Sequence, residues 1–319
     1  MEFLSEPSVL IAIFELLIGL ALITYAADHF VEGAASVANI SKISPVIIGA
    51  VIVGFGTSAP ELLVSGVAAY NGETDLGVSN IIGSNVANLT LVLGAAALVC
   101  PIVVSQRIIK KEAAISLVAT LLFATFALNN FTKIEGIILL LVLAGFLFWI
   151  ISVGRNNKLP EEAEIDEDTK LRSQVLRTIG GLVGTMFAAQ LLVWGAIGLA
   201  DAAGLSSGFV GLSLVALGTS LPELVTGIVA ARKGKTDLIL GNLLGSNMFN
   251  SLAVGGVIAI VGNGILTDAA TIYSGIVIML VVSFSTFLIM VWLKKFQRTI
   301  GILLVAAWIS SMLYLGLVV

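Results

Sequence analysis

The sequence predicts an all-α polytopic membrane protein with ten transmembrane helices arranged as two inverted five-helix repeats. Three observations lead there. Hydrophobic residues make up 58% of the 319-residue chain and charged residues only 11%, with a mean hydropathy of +1.09, which sets it apart from ordinary soluble domains. Several apolar runs reach the ~20 residues that a helix needs to cross a bilayer. One block of sequence also occurs twice, 162 residues apart.

Ten spans fall at roughly 9–37, 45–70, 75–99, 112–129, 134–153, 174–203, 207–231, 237–262, 270–293 and 299–318. Strict apolar/polar alternation is missing, so a membrane β-barrel is not expected. Met1-Glu2-Phe3-Leu4-Ser5-Glu6-Pro7 lacks a basic n-region, so the first span reads as a retained helix rather than a signal peptide. The loops that follow the odd-numbered spans carry 15 of the 16 basic residues. These include Lys42, the Arg107/Lys110/Lys111 group, five in the central loop region, the Arg232/Lys233/Lys235 group and Lys294/Lys295/Arg298; only Lys133 lies opposite. The positive-inside rule makes that side cytoplasmic and leaves both termini outside. The expected location is the cell membrane, as a multi-pass protein.

One hydrophilic segment, 154–173, contains Glu161, Glu162, Glu164, Asp166, Glu167 and Asp168. It reads as a solvated cytoplasmic linker and lacks the spaced pattern of an EF-hand calcium loop. It separates an N-terminal five-helix repeat, 1–153, from a C-terminal one, 174–319. An odd number of spans per half inverts the second copy relative to the first, as in many secondary transporters. The lone Cys100 has no internal disulfide partner and is expected as a buried, inert thiol.

The repeated block carries the chemistry. Gly56-Thr57-Ser58-Ala59-Pro60-Glu61 returns as Gly218-Thr219-Ser220-Leu221-Pro222-Glu223, and Gly83-Ser84-Asn85 with Asn88 returns as Gly245-Ser246-Asn247 with Asn250. A carboxylate at membrane depth is costly, and a matched pair of them points to an ion pathway. Thr57 and Ser58 share a helix face with Glu61, four and three residues on. Pro60 lacks an N–H and frees the Gly56 carbonyl, which a polar cavity or a cation can satisfy. The assembled set is all oxygen, with no sulfur or imidazole, and this selects hard cations such as calcium, sodium or magnesium. Ser, Thr and Asn also serve as plain glue between membrane helices, which makes the two glutamates the firmest candidates. Gly83 and Gly245 are expected at close helix approaches, and Asn85 and Asn247 in holding backbone geometry. Asp28, His29 and Glu32 have no counterparts in the second half, where Gln190, Leu191 and Trp194 stand. They are expected beside the site or at an interface, near the middle or outer half of the first span.

The paired Gly-Thr-Ser-x-Pro-Glu and Gly-Ser-Asn-x-x-Asn blocks resemble the two α-repeats of the sodium/calcium exchanger family, in the calcium/cation antiporter superfamily. The likeness covers nearly the whole chain, and the short central loop is similar to that of microbial members. The resemblance implies that Glu61 and Glu223, with the backbone carbonyls of Thr57 and Thr219, hold calcium. It implies that Ser58, Ser220, Ser84 and Ser246, with the carbonyls of Gly54 and Ala216, help hold sodium, and that Asn88 and Asn250 line the centre. Potassium-dependent relatives are expected to carry Asp at the position of Asn250, so potassium dependence is not expected here.

The implied activity is sodium-for-calcium antiport by alternating access. It is electrogenic if more than two sodium ions return per calcium. A proton-coupled calcium/cation exchanger using the same glutamate cage is the alternative. The expected partners are the two ions and the lipid bilayer, with a monomer sufficient for transport; neither a cofactor nor nucleic acid is expected. An intramembrane enzyme is disfavoured, because the chain has neither a His-Glu-x-x-His pair nor a serine with a nearby histidine base.

Overall fold

The computed structural model describes residues 7–128, 131–156, 171–202, 216–262, 264, 266 and 269–318. These are helical nearly throughout. In chain order the helices are α1 (Pro7–Ile40), α2 (Pro45–Thr57), α3 (Ala59–Tyr70), α4 (Thr74–Val99), α5 (106–127) and α6 (Lys133–Asn156). Then come α7 (Leu171–Ala202), α8 (Ala216–Thr219), α9 (Leu221–Arg232), α10 (Thr236–Val261), α11 (Ala269–Leu293) and α12 (Arg298–Val318). Among the described residues, five helices are long and apolar enough to cross a membrane alone, and a sixth crossing is made if α2 and α3 count as one bent span.

The local sequence explains the breaks. Pro45 opens α2, where its missing N–H costs nothing. Gly72 and Gly234, one repeat offset apart, close α3 and α9 at φ +92° and +67°, a left-handed conformation that glycine adopts without strain.

Burial sorts the helices into a centre and a rim. In their most apolar stretches α4 and α10 bury 78% and 83% of residues, against 28% for α1, α7 and α11. The two helices that carry the Gly-Ser-Asn blocks therefore form the core. α10 packs on α2 backbone to backbone. A Cβ added at Gly241 would strike the Val46 carbonyl and one at Gly245 the Ala50 carbonyl, while one at Gly54 would stand 2.9 Å from the Ser246 amide nitrogen. Small residues permit this approach, as in other membrane helix pairs. The expected close approach at Gly245 is thus present; at Gly83, where one was also expected, an added Cβ would meet nothing within 4 Å among the described residues. α1 and α7 pair in similar fashion, with Gly181 against Phe30 and Gly33 against Thr178.

Two contacts join segments distant in sequence. Residues Ile102–Val103 (β1) form an antiparallel ribbon with Lys295–Phe296 (β2), pairing Ile102 with Phe296 and Val103 with Lys295. Lys233, between α9 and α10, holds Asp28 and Glu32 of α1, each at 2.8 Å. Burial works against the lysine's charge, but hydrogen bonds and attraction from the two carboxylates outweigh it, so its pKa is raised.

Several boundaries differ from expectation. The span expected over 45–70 is broken, with α3 bent 43° from α2. The span expected from 112 begins at 106, because Arg107, Lys110 and Lys111 are helical and pass through a π-turn at Ile109–Ala113. Long basic side chains keep their charge outside while the backbone joins the helix. Cys100 is partly exposed rather than buried. The linker is shortened from both ends, since α6 runs to Asn156 and α7 starts at Leu171; the acidic residues lie outside the described residues.

Candidate ion-binding site

Both copies of the Thr-Ser-x-Pro-Glu block break their helix at the serine. Ser58 has φ/ψ −85°/6° and Ser220 −90°/2°, and each is followed by a new helix with its proline in the first turn. The proline lacks the N–H that would continue the ladder. At the first break, the capping amides take up the carbonyls of Gly54 and Gly56, so the Gly56 carbonyl that Pro60 was expected to free has a backbone donor instead. Glu61 and Glu223 consequently sit in the first turns of α3 and α9, where the helix dipole favours negative charge.

The second block is interrupted as well. π-turns begin at Asn88 in α4 and at Asn250 in α10, running Asn88–Val92 and Asn250–Val254. They lie one repeat offset apart. A π-turn inserts one residue and re-aims the side chains around it, a device common at functional sites.

These interruptions bring the two repeats together in a sealed polar centre. Glu61 and Glu223 are both 0% exposed and close enough to interact electrostatically. Thr57, Ser58, Ser84, Thr219, Ser220, Ser246, Asn88 and Asn250 are buried with them. Contacts cross between the halves. Ser58 donates to Glu223 Oε1 (3.2 Å), Ser220 to Ser84 Oγ (3.3 Å) and Ser246 to the Gly54 carbonyl (3.2 Å). Ala216 begins α8, three residues before Thr219.

A network of amides braces the centre. Asn88 Nδ2 donates to Asn247 Oδ1 (3.0 Å), Asn247 Nδ2 to the Asn85 carbonyl (3.2 Å) and Asn85 Nδ2 to Ser251 Oγ (3.0 Å). The expected backbone-holding role of Asn247 has this bond as its physical form. Asn80 and Asn242, absent from the expected set, also belong here. The Thr219 hydroxyl reaches Asn80 Oδ1 at 3.4 Å and the Thr57 hydroxyl reaches Asn242 Oδ1 at 3.2 Å. Their signal was in the sequence, because 80 and 242 are themselves 162 apart.

The atoms left over define the chemistry. Both carboxylate oxygens of Glu61, Oε2 of Glu223 and Oδ1 of Asn88 and of Asn250 are buried without a hydrogen bond. Ser84 and Ser220 lie beside the Glu61 carboxylate, yet neither of its oxygens receives a hydrogen bond. Buried acceptors without donors are costly, and a hard cation satisfies such a set of oxygens. Asp28, His29 and Glu32 take other partners. The two acids hold Lys233, which sets them against the loop between α9 and α10, and the His29 ring lies on Tyr25.

Comparison with known proteins gives the same picture. The model for sodium/calcium exchanger proteins matches residues 11–152 and 173–317, leaving out the linker. The CaxA protein of Alkalimonas amylolytica is 40% identical over 299 residues, covering 91% of this chain and 92% of that protein. The sodium/calcium exchanger MaX1 of Methanosarcina acetivorans is 28% identical over 275 residues, covering 74% and 79%. A solved structure of the sodium-calcium exchanger NCX_Mj superimposes with a TM-score of 0.85 at 30% identity, covering 95% of this chain and 98% of that one. These proteins are membrane antiporters rather than enzymes; the ions they carry are cargo, and they need no cofactor. Two repeated blocks, a buried oxygen-lined centre and matches over both halves converge on one assignment: the chain is a multi-pass membrane protein of the sodium/calcium exchanger family.

Proposed function

We propose that this protein exchanges sodium for calcium by alternating access, using Glu61 and Glu223 as the central calcium ligands. The observation that carries the reading is the pair of fully buried carboxylates, one from each repeat, with three of their four oxygens free of hydrogen bonds. Two carboxylates neutralise one calcium ion. The Thr57 and Thr219 carbonyls complete its shell, while Ser58, Ser84, Ser220 and Ser246, the Gly54 and Ala216 carbonyls, and Asn88 and Asn250 supply oxygens for sodium. Because the oxygens overlap, one kind of load excludes the other.

The same reading takes the chain as ten spans in two inverted halves, 1–153 and 174–319, joined by a cytoplasmic linker over 154–173, with both termini outside. Two contacts support the parity: the ribbon joining the loops after the third and ninth spans, and the Lys233 contacts with α1. Return of more than two sodium ions per calcium makes the exchange electrogenic. With Asn250 in place of a third carboxylate, the site takes no potassium, and a monomer suffices.

The test is uptake of radiolabelled calcium into proteoliposomes loaded with sodium, choline or potassium, with a pH-gradient arm. Uptake that needs internal sodium, and is lost in Glu223→Gln, is the expected result. Uptake driven by protons alone would keep the cage and replace sodium as the coupling ion.

A further inference from the structure

Four helices meet around a small polar cavity whose lining shares no residue with the ion-binding set. α5 contributes Ser116 and Thr120, α11 contributes Ser283 and Thr286, and the central helices α4 and α10 close it with Leu89 and Leu244. Its volume is about 10 Å³, the space that one water needs. All four hydroxyl residues are buried, none more than 5% exposed.

The hydroxyls differ in what they still need. Thr120 donates to the Ser116 carbonyl (2.9 Å), and Thr286 donates to the Val282 carbonyl (2.8 Å) and reaches that of Ser283 (3.1 Å). A threonine that turns back onto its own helix in this way spends its hydrogen and keeps its oxygen lone pairs. Ser283 makes no such bond, and its Oγ is buried without a partner. Its hydrogen therefore lacks an acceptor, a costly state for a buried hydroxyl.

The missing partner has to accept from Ser283 and donate to a threonine oxygen. A metal cation does neither, and with no carboxylate among the lining residues nothing offsets its charge. Water does both. We propose that the cavity is a water-binding site, in which one buried water accepts from Ser283 of α11 and donates to Thr120 of α5, tying these two helices together beside the central pair. The site is no product of the duplication. One repeat offset away from Thr120, Ser283 and Thr286 stand Val282, Leu121 and Ala124, which offer no hydroxyl. Nor does the inference depend on which ions the centre carries.

X-ray radiolytic footprinting of the purified full-length protein in detergent tests this, because a bound water yields hydroxyl radicals where it sits. Met290 lines the cavity at 2% exposure, whereas Met248, at 3%, does not line it. Met290 is expected to oxidise several-fold faster than Met248 despite similar burial. It should lose that advantage in Ser283→Val, whose methyl groups replace the hydroxyl and take up the cavity.

Thermal melting gives a second readout, which carries the test if Ser283→Val fails to fold. Removing an unpaired hydroxyl raises the melting temperature, and removing one bonded to water lowers it. Ser283→Ala is expected to lower it by about 2 °C. Thr120→Val should do the same, and the two together should cost less than their sum, since both lose one shared water. The series is run in choline chloride and in sodium chloride, with the same losses expected in each.

Met290 as well protected as Met248, or a Ser283→Ala variant melting at or above the wild type, would overturn the proposal in favour of a dry cavity. A Ser283→Ala loss confined to sodium chloride would overturn it in favour of a bound sodium ion.

Discussion

Asn88 of the first repeat donates to Asn247 of the second, Nδ2 to Oδ1 at 3.0 Å, with both residues essentially sealed from solvent. The bond crosses between the central helices α4 and α10, beside the point where the first π-turn begins. Asn247→Leu strands this buried donor, while the Asn85 carbonyl keeps its backbone hydrogen bond. The expected cost is ~1–3 kcal/mol per stranded group. A thermal melt of the detergent-solubilised protein should show it, and an unchanged melting temperature would contradict the brace.

Removing one glutamate charge should be far more damaging to binding than to folding. A unit charge facing a divalent ion at ~4 Å is worth several kcal/mol even at an effective dielectric of ~20. Glu61→Gln is therefore expected to weaken calcium binding by more than ~100-fold. The variant should still fold, because it removes a buried charge that no cation of the protein offsets. Retained calcium affinity, measured by equilibrium dialysis, would remove Glu61 from the ligand set.

The seam between α2 and α10 should tolerate no added atoms. At Gly245 a Cβ meets the Ala50 backbone, which is not free to swing aside as a side-chain tip would be. Gly245→Ala is expected to destabilise by ~1–3 kcal/mol. Gly66→Ala, where the nearest atom to a Cβ is Val257 Cγ1 at 3.6 Å, is the matched control and should melt near the wild type.

The Lys233 contacts make a different prediction. The lysine side chain is 24% exposed and its partners 44% and 34%, so water and salt screen the pairs. Lys233→Met is expected to cost no more than ~1 kcal/mol. That cost should shrink as choline chloride is raised, a salt chosen because sodium is a candidate cargo. A large, salt-independent loss would mean that the lysine is doing more than pairing.

The repeat offset made the main parts of the centre legible in the sequence. It located both glutamates, the serines and threonines around them, and the asparagines at which the π-turns start. What it left unread depended on the path of the backbone. Neither hydropathy nor proline position specified the 43° bend at Ser58, because apolar residues continue on both sides of it. Asn80 and Asn242 escaped notice because an asparagine in an apolar helix reads as glue, and only the crossing of the repeats shows which hydroxyl each one receives. Asp28 and Glu32 read only as a group beside the site or at an interface, because their partner Lys233 stands 201 residues beyond Glu32 and only the fold brings it between them.

The small ribbon of Ile102–Val103 with Lys295–Phe296 bears on how such a chain comes to be made. Its strands lie 192 residues apart, from Val103 to Lys295, and synthesis delivers them far apart in time. The first strand must wait with its edge unpaired while six further spans of the proposed topology are threaded into the bilayer. Contacts so remote in sequence form late. Closing the ribbon therefore belongs to the last stage of biogenesis, when the loops after α4 and α11 are fastened together and the helices between them are already in place.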